Sequence, residues 1–214
     1  MSITMFGRSS RIPVCVLAVG LLTCFACSSY AAEAKESATL ANLQKAYDGE
    51  SNAHARYLAF AKKADEEGYG QVASLFRAAA KAEEVHFNAH AVVIKKLGGV
   101  PKADVKSPDA KSTKENLEAA VKGESYERDT MYPEFIQAAQ KENVPAAVET
   151  FSNAKAVEAV HAKLYQEALA NLDSWKGAKK DFFVCPECGN TVAALTFETC
   201  PVCATPKDKF MRVS

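Results

Sequence analysis

Two stretches of the chain nearly repeat each other. Asn42-Leu43 and Gly49-Glu50-Ser51 recur as Asn116-Leu117 and Gly123-Glu124-Ser125, at an offset of 74 residues. Further on, Phe76, Glu83 and His86 recur as Phe151, Glu158 and His161, at an offset of 75. Within each copy, apolar residues return at intervals of three and four, as in Leu40, Leu43, Ala46, Tyr47 and again in Tyr57, Phe60, Ala61, Ala64. That spacing predicts amphipathic helices. A chain built this way has one economical solution, two similar helix hairpins packed face to face.

The breakers locate the helix ends. Glu67-Gly68-Tyr69-Gly70 closes the first helix and Leu97-Gly98-Gly99-Val100-Pro101 the second. Ser112-Thr113-Lys114-Glu115 reads as a capping box opening the third, and Asn143-Val144-Pro145 separates the third from the fourth. The connections are therefore short, long, short, with a lysine-rich crossover from Gly98 to Thr113. Four helices with one long crossover make a ferritin-like all-α bundle, expected over residues 38–175.

The repeated residues carry metal chemistry. Each Glu-x-x-His, Glu83-His86 and Glu158-His161, places a carboxylate and an imidazole on one helix face. Glu50 and Glu124 add one carboxylate from each remaining helix. Glutamates from two helices and Glu-x-x-His from the other two form the di-iron carboxylate arrangement. A lone Glu-x-x-His is usually surface salt chemistry, but buried unpaired carboxylates at matching places in a repeat cost too much to be accidental. The second copy also carries Glu127 where the first has Ala53. Glu84 and His90 attract no role, and His54 and Glu149 read as solvated surface.

After Trp175 the helical texture ends. A basic hinge over residues 176–180 leads into residues 181–214, where Cys185-Pro-Glu-Cys188 and Cys200-Pro-Val-Cys203 form two knuckles. Paired Cys-x-x-Cys knuckles suit one tetrahedral thiolate-bound metal. Two disulfides are the competing reading, and ligand softness admits either zinc or iron.

Together these residues resemble the rubrerythrins. The resemblance runs from about residue 39 to about residue 210 and takes in Gly123-Glu124-x-x-Glu127 followed by Met131-Tyr132-Pro133. It implies a di-iron centre on Glu50, Glu83, His86, Glu124, Glu127, Glu158 and His161, with Glu127 replacing His86 as a ligand on oxidation. Ferric iron, harder than ferrous, favours an anionic oxygen over a neutral imidazole. It also implies that Tyr57 and Tyr132 hydrogen-bond near the ligands, although Tyr57 could equally be core. The tail on Cys185, Cys188, Cys200 and Cys203 would be rubredoxin-like and hold one iron, with zinc the alternative. The segment between the knuckles, Asn190–Thr199, departs from the usual rubredoxin-type text. The implied activity is reduction of hydrogen peroxide to water in oxidative stress protection, with electrons relayed through the four-cysteine iron. The implied assembly is a homodimer whose tails dock on the partner chain, served by a redox donor protein the sequence does not identify. A ferroxidase, iron-handling or oxygen-reducing role is the rival, and it needs neither Glu127 nor the tail. A zinc-ribbon adaptor with a dead bundle would show broken ligands, and none is broken.

Residues 1–31 stand apart. Arg8 and Arg11 precede an apolar run from Ile12 to Cys27, and small residues follow. This reads as a secretory signal peptide cleaved near Ala31 or Ala32, with the working protein periplasmic or secreted. The apolar run is short for a bilayer span, and Cys24 and Cys27 fit a lipid-anchor pattern poorly. Removing the leader takes Cys15, Cys24 and Cys27 and leaves only the knuckle cysteines. Lysine plus arginine and aspartate plus glutamate number 26 each over the whole chain, a balance that gives no footing for nucleic acid.

Overall fold

The computed structural model describes residues 37–214. The proposed leader lies outside the described residues. Helices α1 (Ala38–Glu66) and α2 (Gly70–Lys96) form the first hairpin, and the extended crossover leads to α3 (Thr113–Tyr126). The Ser112–Glu115 capping box is present, with Ser112 and Glu115 satisfying each other's backbone donors. The second hairpin closes with α5 (Pro145–Ala170). Among the described residues, no helix is long and apolar enough to cross a membrane.

The expected third helix is not continuous. A π turn, Glu127–Met131, separates α3 from α4 (Tyr132–Lys141), and the Tyr132 N–H donates to the Glu127 carbonyl five residues back. Pro133 supplies the reason. It has no N–H for the Asp129 carbonyl, and its ring would crowd that carbonyl in a regular helix. Widening the turn by one residue relieves the conflict. Such insertions favour functional sites, and this one begins at the extra glutamate.

The core comes in two halves. One centres on Tyr57, Phe60, Phe76 and Tyr165, the other on Leu43, Ile94, Phe135 and Phe151. On α1, α2, α3 and α5 the two halves are separated by the same kind of residue: Glu50 on α1, Glu83 and His86 on α2, Glu124 on α3, Glu158 and His161 on α5. The repeat thus builds a polar belt between two apolar plugs.

The tail closes on its own bundle. Gly177 meets the α1–α2 turn, where its N–H donates to the Gly68 carbonyl at 3.0 Å. A Cβ at Gly70 would lie 2.2 Å from the Gly177 carbonyl oxygen, so only glycine permits this approach. Trp175 stacks on Phe182, and the chain then runs back along α2. Strands β1 (Phe182–Val184), β2 (Thr191–Val192) and β3 (Met211–Val213) form a small antiparallel sheet in the order β2-β1-β3. Within one chain, the close glycine contact and the Trp175–Phe182 stack turn the tail back along the bundle.

Candidate metal centres

The belt brings six predicted ligands together, all buried. Glu50, Glu83, His86 and Glu158 place donor atoms within 4.8 Å of one another, and so do Glu83, Glu124, Glu158 and His161. Glu83 and Glu158 belong to both groups. The arrangement therefore offers two adjacent metal positions, bridged by two carboxylates, each with one further glutamate and one histidine.

The histidines are aimed from outside. His86 Nδ1 lies 3.0 Å from both Glu83 Oε2 and Glu158 Oε1. His161 Nδ1 lies 2.9 Å from Glu158 Oε2 and 3.5 Å from Glu83 Oε1. Their outer nitrogens are both held by the tail. His86 Nε2 faces the Cys188 carbonyl at 3.0 Å, an acceptor only, so Nε2 carries the proton. His161 Nε2 faces Thr191 Oγ1 at 3.1 Å, and that hydroxyl already donates to the Gly189 carbonyl. Nε2–H is again the donor. Both rings thus turn an Nδ1 lone pair inward, as a metal-binding histidine does when its outer N–H is anchored.

Two tyrosines fix the unshared glutamates. Tyr57 donates to Glu124 Oε1 at 2.5 Å, and Tyr132 donates to Glu50 Oε1. Tyr57 is therefore both core and site.

The electrostatics are those of a cation cage. Burial, then the neighbouring carboxylates, raises Glu50 and Glu124 well above the usual glutamate range. Burial opposes charge on His86, but Glu158 and Glu83 outweigh it and raise the imidazole. One oxygen each of Glu50, Glu83, Glu124 and Glu158 is buried without a hydrogen-bond partner. Orphaned buried carboxylate oxygens are costly, and four of them converging with two imidazole lone pairs fit a pair of divalent cations.

Glu127 stands apart. It is partly exposed and belongs to neither ligand group. It lines a cleft of about 460 Å³ with Asp48, Asn52, Arg56 and Lys106, on the crossover side. Burial and the Glu158 and Glu83 charges nevertheless raise its carboxyl well above the usual range. It therefore sits between the cleft and the cage.

In the tail, all four cysteine sulfurs lie within 4.8 Å of one another. Cys185 and Cys203 are 3.5 Å apart, Cys188 and Cys200 3.6 Å, and none is disulfide-bonded. These spacings suit thiolates around one tetrahedral metal. The knuckles match: Gly189 N–H donates to the Cys185 carbonyl and Ala204 N–H to the Cys200 carbonyl, each from a left-handed backbone.

Sequence reasoning missed several residues. His90 is fully buried and bonds Tyr132 and Thr150. Its position four residues after His86, on the same face, was the available signal. His54 is half-buried rather than solvated, with Nδ1 2.8 Å from the Ala80 carbonyl. Glu84 pairs with Lys81, and Glu149 is exposed. Thr191 and the Cys188 carbonyl left no legible trace, because their role arises only when the tail folds back.

Comparison with known proteins gives a consistent result. The family model described as Rubrerythrin matches residues 41–169. Nigerythrin of Nitratidesulfovibrio vulgaris is 44% identical over 173 residues, covering 80% of this chain and 85% of that protein. Rubrerythrin-2 of Clostridium acetobutylicum is 36% identical over 187 residues, covering 82% of this chain and 97% of that one. A solved structure of fully reduced, all-ferrous nigerythrin superposes with a TM-score of 0.77 at 42% identity, covering 85% of this chain and 91% of that one. A Mycobacterium tuberculosis bacterioferritin at 21% identity and TM-score 0.58 shares the bundle fold over 64% of this chain and 86% of its own.

Proposed function

This chain belongs to the rubrerythrin family, and from that we propose that it is a non-haem di-iron peroxidase that reduces hydrogen peroxide to water. The protein is a di-iron oxidoreductase, and iron is its cofactor at both the carboxylate–histidine cage and the four-cysteine knuckle. When bound at the cage and the knuckle, iron would supply the two electrons that reduction of a peroxide O–O bond requires.

The chain's own residues do the rest. Glu83 and Glu158 hold the two metal positions together, and Tyr57 and Tyr132 keep Glu124 and Glu50 in place. The apolar plugs exclude water from both ends of the belt, which strengthens every charge interaction inside. The cleft beside Glu127 suits entry of a small polar oxidant, and Glu127 would move inward when the centre becomes more charged. The π turn supports that movement, since it gives the Glu127 backbone slack that a regular helix would deny.

One observation carries the reading. His86 faces the cage through Nδ1 and touches the Cys188 carbonyl through Nε2. A single imidazole therefore joins the reacting centre to the electron-storing one. An iron-storing ferroxidase has no use for such a link. The leader pattern supports a further proposal, that the protein works outside the cytoplasm with a protein redox donor. The family resemblance supports assembly as a homodimer.

The test is anaerobic stopped-flow mixing of the fully reduced, iron-loaded protein with peroxide and, separately, with oxygen. Oxidation of both centres much faster by peroxide is expected. Equal or faster oxidation by oxygen, with the knuckle silent, refutes the reading in favour of iron oxidation or oxygen reduction.

A further inference from the structure

Reduction of a peroxide to two waters consumes two protons along with the two electrons. Apolar plugs close both ends of the belt, so protons that arrive on the side away from the Glu127 cleft need a route. The residues around His90 form one. Thr150 Oγ1 lies 3.0 Å from His90 Nδ1, His90 Nε2 lies 3.2 Å from the Tyr132 hydroxyl, and that hydroxyl bonds Glu50 Oε1. All four residues are buried. Thr150 also lines a cavity of about 470 Å³ between α2, α5 and the knuckle, whose walls include the exposed, charged Lys96 and Glu149. The chain of bonds thus runs from a cavity with charged walls to a metal-ligating carboxylate.

The direction of each bond follows from the one before. As a metal ligand Glu50 is a carboxylate, which only accepts, so the Tyr132 hydroxyl donates to Glu50 and its oxygen must accept from His90. His90 Nε2 therefore bears the proton. A neutral imidazole has one donor and one acceptor, and burial keeps this ring neutral, pushed down to about 3. Nδ1 is then the acceptor, and Thr150 donates to it. Thr150 keeps its oxygen lone pairs for water in the cavity. Every donor points toward Glu50. A network held together only for packing has no need of a common direction.

We infer that Thr150, His90 and Tyr132 form a proton relay that carries protons from the cavity to Glu50 at the edge of the metal cage. One proton enters at Thr150 from water, each bond hands on its own hydrogen, and a different proton leaves Tyr132 for the carboxylate. No electron moves along this path. The inference rests on the proposed peroxide chemistry only for what finally consumes the protons. Thr150 and His90 touch no reacting atom and act through Tyr132 and Glu50, so they are positioning residues.

Thr150→Val preserves shape and removes the entry hydroxyl, whereas Thr150→Ser keeps it. With the iron-loaded, reduced protein, Thr150→Val is expected to slow peroxide-driven oxidation about ten- to hundredfold and to change the solvent deuterium isotope effect. Thr150→Ser is expected to restore both. A Thr150→Val protein with wild-type rate and isotope effect overturns the relay. A second readout needs no turnover: nitrogen-15 imidazole shifts of His90 in zinc-loaded protein should report an Nε2–H tautomer, and an Nδ1–H tautomer overturns the relay. A wild-type protein that fails to favour peroxide over oxygen refutes the peroxidase reading instead, and the His90 tautomer still decides the relay.

Discussion

Gly189 is the point where the knuckle presses on the bundle, and Gly189→Ala tests that contact. Its backbone is left-handed, at φ +79°, and an added Cβ would lie 2.6 Å from His86 Nε2 and 3.2 Å from both Cβ and the carbonyl oxygen of Ala82. The left-handed conformation costs alanine about 1–2 kcal/mol. Overpacking against a helix backbone adds about 1–3 kcal/mol. Loss of the His86–Cys188 hydrogen bond adds about 1 kcal/mol. The left-handed cost falls on the knuckle whether docked or not, so docking loses about 2–4 kcal/mol, and the lower end shifts the docking equilibrium about thirtyfold. The strain is local to the tail contact, so the tail should lift from α2 while the bundle stays folded. Limited proteolysis should then cut the hinge at residues 176–180, and re-reduction of the carboxylate centre by the knuckle should slow by up to about thirtyfold. Wild-type protease resistance together with wild-type transfer would refute the reasoning.

Four further predictions follow from the same geometry. Ala204 holds the left-handed position of the second knuckle at φ 62°, so Ala204→Gly should stabilise the tail by about 1 kcal/mol, read by denaturant melting of the tail. Glu142 caps the start of α1 through Ser37, Ala38 and Thr39, and those hydrogen bonds lower its carboxyl to about 2. A depressed carboxyl stabilises above the ordinary glutamate range and loses that contribution as pH falls toward 2; Glu142→Gln should melt earlier at neutral pH and match wild type at the acid end. Burial and mutual repulsion raise Glu50, Glu124 and Glu127, so metal-free protein should lose stability as pH rises above the ordinary glutamate range. Metal affinity should rise with pH, with protons released on binding, measured by titration calorimetry in buffers of different ionisation heat. Finally, co-refolding Cys185→Ser chains with Glu83→Ala chains should restore no peroxide turnover when transfer runs within one chain; recovered turnover would mean that tails serve partner bundles.

The cage was legible in the sequence because it depends on local spacing. Glu-x-x-His fixes a helix face by itself, and the repeat assigns Glu50 and Glu124 to the opposite pair of helices without knowledge of packing. The knuckles were legible for the same reason. What escaped was set by relations across the chain. Pro133 was an available sign of a disturbed helix that the reading of four long helices passed over, and it does not by itself specify a π turn beginning at Glu127. The close approach of Gly70 to Gly177, which turns the tail back on its own bundle, depends on where α5 ends. His90 looked idle because its partners, Tyr132 and Thr150, lie on two other helices. The Glu142 cap on α1 joins residues more than a hundred positions apart, beyond any local pattern.

The most direct test of the whole account is an anaerobic titration of the fully reduced, iron-loaded chain with hydrogen peroxide, following both iron spectra. The account predicts that peroxide oxidises the cage and then the knuckle, each peroxide removing two electrons, with all iron retained. Oxidation of the cage alone, or release of iron during the titration, would contradict it.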